Sequence, residues 1–113
     1  MNSAHTHRKE TEKNMNTQPA LDIGAPVIVR TYSAGVHFGY LTERNGREVA
    51  LERSRRIWRW GGANTLSEIA LHGVEKKYSR LSEPVSILLL ECIEVIPCAP
   101  DAVENLESCA WAK

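Results

Sequence analysis

The stretch RTYSAGVHFGYLTERNGREVALERSRRIWRWGGAN, residues Arg30 to Asn64, decides the fold. At its centre, Asn45-Gly46 is the strongest short hairpin signal a sequence carries, because a tight two-residue loop needs positive φ at both positions. A loop there pairs Arg44 with Arg47, Glu43 with Glu48, Thr42 with Val49 and Tyr40 with Leu51. Strand periodicity then places Val36, Phe38, Tyr40, Thr42, Val49 and Leu51 on the core face. His37, Gly39, Leu41 and Ala50 fall on the other, more polar face, so His37 reads as a half-exposed strand histidine. Like charges meet near the turn, which makes the tip a solvated one rather than a site.

The strand continues into Arg53–Trp60 (RSRRIWRW), whose alternation admits two readings. Trp58 and Trp60 share a face with Arg56, while Ile57 shares the other with Arg55 and Arg59. With the tryptophans in the core, which their apolar area favours, Arg55 and Arg59 are exposed strand arginines. With Ile57 in the core, Arg56 and Trp58 become an exposed pair, a guanidinium fork for phosphate beside a surface that stacks a base.

Toward the N-terminus, Val27, Ile28 and Val29 begin a β-branched strand ending near Tyr32, and Ser33-Ala34-Gly35 supplies the tight connection onward. Residues 1–21 are too polar to offset ordering entropy and read as a disordered tail before a single domain over 22–113. His5 and His7 in that tail lack further metal-ligand partners, and Met15 is a second candidate start. Toward the C-terminus, Gly61-Gly62 breaks the strand. Thr65 and Glu68 form a capping box, Leu66, Ile69 and Ala70 make the buried stripe of a short helix, and Gly73 ends it. GGAN before that helix lacks the lysine and spacing of a phosphate loop. A polar loop spans Val74 to Glu83. Val85 to Ile96, apolar on both alternating faces except at Glu91 and Glu94, reads as a central strand. Pro97 stops it, and Pro100 opens a last helix with Ala102, Val103, Leu106, Cys109 and Ala110 at helical spacing. Trp111 is placed to pin the chain end to the core or a neighbouring subunit. The fold class is therefore α+β: a small antiparallel sheet of about four strands, a β-meander, a helix, a central strand and a C-terminal helix.

With 113 residues there is room for one core, and no apolar run reaches the roughly 18 residues of a membrane span. Cys92, Cys98 and Cys109 are odd in number and without metal-ligand spacing, which suits reduced thiols in a cytoplasm. Net charge is zero, yet Arg30–Trp60 holds seven arginines against three glutamates, while Ser82–Ala112 holds six acids and no base. A neutral total argues against general nucleic-acid coating but leaves a local basic site open. No nucleophile elbow, HExxH, dinucleotide-binding glycine pattern or kinase set occurs. His37 with Ser33 and Glu43 implies no triad geometry, so the reading is a non-enzyme without metal or cofactor.

Three segments carry a resemblance: VRTYSAGVHFG (Val29–Gly39), RRIWRWGGANTLSEIALHG (Arg55–Gly73) and ECIEVIPC (Glu91–Cys98). In these the chain resembles a family of small proteins encoded by tailed phages and prophages, from about Val27 to the C-terminus. More loosely, that family resembles the Thoeris anti-defence sponge proteins, homo-oligomers that bind cyclic ADP-ribose-type signals and leave them intact. The resemblance implies a phage counter-defence protein in the host cytoplasm that sequesters an anionic nucleotide, of cyclic ADP-ribose or cyclic oligonucleotide type. On that reading Arg30, Arg56 and Arg59 contact phosphates, Tyr32 or Trp58 stacks a base, and Asn64 hydrogen-bonds base or ribose. A rival reading is an inhibitor covering a host defence protein, its acidic C-terminal half mimicking nucleic acid. A third is a small nucleic-acid-binding accessory protein, whose binding would fall steeply with salt.

Overall fold

The computed structural model describes residues 21–110; the expectations for the tail, for Met15, His5 and His7, and for Trp111 concern residues outside them. Its strands are β1 (Pro26–Thr31), β2 (Val36–Asn45), β3 (Glu48–Arg59), β4 (Arg80–Leu81), β5 (Val85–Leu89) and β6 (Cys92–Pro97). Its helices are α1 (Leu66–His72) and α2 (Pro100–Glu107), with a 3-10 turn at Lys76–Tyr78. The architecture is mixed α and β, with one antiparallel sheet of six strands rather than about four. The loop expected over Val74–Glu83 contains both the 3-10 turn and β4.

Val85–Ile96 is not a central strand but two strands turning a corner. The order is β4-β3-β2-β1-β6, with β5 also paired to β3, so β5 and β6 lie at opposite ends of the sheet. Only Leu90 and Glu91 join them, a link of about 11 Å at full extension. Four inter-strand spacings of a flat sheet would need about 19 Å. The sheet therefore curls until its ends meet. Leu89 and Cys92 from the corner pack with Val27 and Val29 of β1 and Val49 and Leu51 of β3, filling the inside of the curl. On the outside, Ile28, Phe38, Tyr40 and Ile57 pack under Ile69 of α1 and Leu106 of α2. The apolar run divides at this corner: Leu89 and Cys92 face the interior of the curl, while Val85, Leu88, Leu90 and Ile93 stay exposed.

The hairpin turns one residue later than expected: Asn45 pairs with Glu48, Arg44 with Val49 and Leu41 with Leu51. Irregularities between Phe38 and Tyr40 and between Leu41 and Glu43 separate the proposed core face. Phe38 and Tyr40 face the helices, whereas Leu41, Val49 and Leu51 face the interior of the curl, and Thr42 is exposed. Gly39 marks the tightest part of the curl. A Cβ there would lie 3.1 Å from the Ser54 Cα and 3.2 Å from the Leu51 Cβ, the close approach for which a strand glycine is kept.

The extra β3 residue opposite Phe38–Tyr40 decides the Arg53–Trp60 question. The β3–β5 register slips between Leu51 and Ser54, and Arg53 there adopts φ 50°, a left-handed conformation uncommon for a non-glycine residue. One extra residue reverses which side chains face which way. Ile57 becomes core at 2% exposure, and Trp58 is 50% exposed. The tryptophan-core reading is thus overturned. Trp58 and Trp60 do not share a surroundings either, since Trp58 borders a cavity with His37 and Trp60 borders a groove with Val36 and Ile96. Arg55, expected on the surface in that reading, is 5% exposed.

The helix signals match the structure. Thr65 and Glu68 form the reciprocal capping box and Gly73 ends α1. Pro100 stands in the first turn of α2. Asn105 joins the two helices, accepting from the Val74 amide and donating to the Val74 carbonyl, each at 2.8 Å. Ala110, assigned to the helical stripe, is exposed beyond the end of α2. All three cysteines are free and buried, and burial pushes the Cys98 thiol up to about 12, so it stays protonated.

Candidate functional site

The β1–β2 loop, the second half of β3 and the start of β5 surround the mouth of the curled sheet. The loop is held from within. Thr31 Oγ1 donates to the Gly35 carbonyl at 2.8 Å and accepts from the Ala34 amide at 2.7 Å. Ala34 returns its carbonyl to His37 Nε2 at 2.9 Å. Nε2 therefore carries the proton, leaving Nδ1 as the atom that titrates. His37 is buried rather than half-exposed. Burial lowers its pKa most; the bond to Ala34 works the other way, and the charge of Arg56 lowers it further, so the ring is neutral at pH 7.

Arg56 stands over this floor. Its amide donates to Ser82 Oγ at 2.7 Å and its carbonyl accepts from the Ser82 amide at 2.9 Å, fixing the backbone from which the side chain projects. Gly35, at φ 87°, supplies the left-handed backbone the loop needs, and a Cβ there would only touch Arg56 Cδ at 3.9 Å. Among the described residues the Arg56 guanidinium has no ion pair and no hydrogen bond. Trp58, two residues on and on the same side of the strand, borders a cavity of about 480 Å³ together with Arg56, His37 and Ser54. Ser54 is 1% exposed and its Oγ has no hydrogen-bond partner among the described residues. Since each buried hydroxyl left unpaired is costly, an orphan lining a cavity marks a place where a ligand or water supplies the missing partner. No hydrogen bond joins Ser54 to His37.

The six sequence-selected residues do not form one site. Arg56 and Trp58 come together at the mouth. Arg30 and Asn64 border a separate groove of about 360 Å³ with Trp60 on the helix side, where Arg30 is ion-paired to Glu94 at 2.7 Å. The Asn64 backbone N–H donates to Glu68 Oε1 at 2.6 Å. Tyr32 and Arg59 are exposed and border neither cavity. Sequence reasoning missed His37 as a floor residue, Ser54 and Ser82. Gly39 inside a strand pattern was the available signal, since such a glycine often marks a bulge or a close backbone approach.

Among the described residues no group of three or more His, Cys, Asp or Glu side chains is placed to hold a metal, and no helix is long and apolar enough to cross a membrane. Neither the curated proteins nor the solved structures contain a match to this chain. A family model described as a domain of unknown function, DUF6948, matches residues 24–106, most of the described fold and all of the mouth, and the chain belongs to that family.

Proposed function

We propose that this domain binds an anionic nucleotide at the mouth of the curled sheet and does not transform it. The observation that carries the reading is the unpaired Arg56 guanidinium beside the half-exposed Trp58, above a floor with one orphaned hydroxyl. The guanidinium offers a phosphate a two-toothed hydrogen bond, and the indole offers a base a stacking face. A neutral His37 that makes no hydrogen bond to Ser54 suits retention rather than hydrolysis. In the setting implied by the resemblance to phage proteins, retention of this kind withdraws a nucleotide signal from a host defence system. Native mass spectrometry of the full chain with a defined nucleotide mixture tests it: a nucleotide carried by the folded protein and released with unchanged mass supports the reading, and bare protein throughout overturns it.

A second reading rests on the rim. Leu88, Leu90 and Ile93 are each more than half exposed around the β5–β6 corner, an apolar surface suited to a protein partner, either a further copy of this chain or a host protein. Salt-insensitive self-association abolished by Leu90→Ser would support the first of these.

A further inference from the structure

The mouth has two lobes. Arg56 and Ile87 border both the cavity beneath Trp58 and a second cavity of about 370 Å³ on the other side. Arg56 therefore lies on the boundary between the two lobes, where a ligand spanning both would meet it. The first lobe has an aromatic wall, Trp58, and a carboxylate, Glu83. The second has an aliphatic wall, Leu88 and Leu90, and likewise a carboxylate, Glu91. Ligand cavities run from about 300 to 1,000 Å³, so each lobe alone is at the small end and the two together exceed the needs of a mononucleotide.

The order of charges along the recess, acid then base then acid, selects among anions. A polyphosphate chain laid across Arg56 would bring terminal phosphates against Glu83 or Glu91, at the cost of like-charge repulsion. Ribose hydroxyls and exocyclic amino groups are hydrogen-bond donors, which carboxylates accept. A ligand with its charge in the middle and donors at both ends fits this order. Resting on the nucleotide-binding reading above, we infer that the ligand is a dinucleotide without terminal phosphate, linear or cyclic. A linking phosphate, the single one of a linear or either of the two of a cyclic dinucleotide, lies on Arg56, one base stacks on Trp58, and the second nucleoside lies against Leu88 and Leu90.

Isothermal titration of the full chain with AMP, ATP, the dinucleoside monophosphate ApA and cyclic di-AMP, repeated with the guanine series, tests the inference. In at least one series the dinucleotides are expected to bind about tenfold or more tighter than the mononucleotides, as a second stacked or buried nucleoside contributes. Leu88→Ser, at an exposed position, is expected to weaken dinucleotides by about threefold or more and leave AMP and GMP unchanged. Mononucleotides binding as tightly as dinucleotides, with Leu88→Ser silent, would overturn the two-lobed ligand while sparing the nucleotide reading. Absence of binding by every probe would overturn both. Circular dichroism of the Leu88→Ser chain separates lost binding from lost fold.

Discussion

Arg55 and Arg56 are neighbours in sequence and face opposite sides of the sheet. Arg55 turns inward under α2, where Nε donates to the Ser82 carbonyl at 2.8 Å, and the two terminal nitrogens donate to the Leu106, Glu107 and Cys109 carbonyls at 2.7 to 3.1 Å. A cation at a helix C-terminus meets both the orphaned carbonyls and the negative end of the dipole. Arg56 turns to the mouth and is left without a partner among the described residues. One arginine holds the fold, and its neighbour is free to meet a ligand.

The two should separate cleanly by mutation. Arg55→Met leaves buried carbonyls unsatisfied and is expected to cost about 2–4 kcal/mol in urea unfolding. Arg56→Ala is expected to stay within about 0.5 kcal/mol of the parent while abolishing nucleotide binding. Equal stability losses for both would show that Arg56 is structural.

Trp58 provides an optical readout. Half-exposed as it is, its fluorescence should be quenched by ligand titration, and Trp58→Ala should weaken binding by about 1–3 kcal/mol, the worth of one stacked base. Trp60 borders the other groove, so Trp60→Phe should leave the quenching intact.

Acidification should destabilise the protein through His37. Its pKa in the fold lies below the ordinary 6.5, so below that pH the unfolded chain takes up a proton that the folded chain does not. Stability is full above the ordinary value and falls as pH drops from it toward the folded pKa. Urea midpoints measured across this range should decline for the parent and decline less for His37→Gln. Parallel curves for the two would remove His37 as the cause.

Gly39 permits the curl, and Gly39→Ala is expected to cost about 1–3 kcal/mol by forcing a methyl against the Ser54 backbone and Leu51. Asn105→Ala should cost a similar amount, about 1–3 kcal/mol, because both polar groups of Val74 lose their partner. Thermal melts of both variants check these, and an unchanged midpoint in either would mean that the local structure relaxes freely.

Local chemistry was legible from the residues alone. The Thr65–Glu68 box, the Gly73 cap, Pro100 at the start of α2 and the existence of the Asn45-Gly46 hairpin all depend on groups within a few residues of one another, so the chain determines them without help. The nomination of Arg56 with Trp58 as an exposed pair was also open in the sequence, as one of two alternations.

Only the tertiary structure chose between those alternations. The bulge at Arg53 reverses the faces of β3, and a period-2 pattern carries no mark of a single inserted residue. The corner at Leu90-Glu91 was hidden for a related reason: an apolar run whose outer side chains stay exposed, as Leu88, Leu90 and Ile93 do, has the same composition as a strand buried on both faces. Which of two buried surfaces a side chain meets, and which arginine is left facing a cavity, are properties of long-range closure between β3 and β1. Local propensity does not encode that closure.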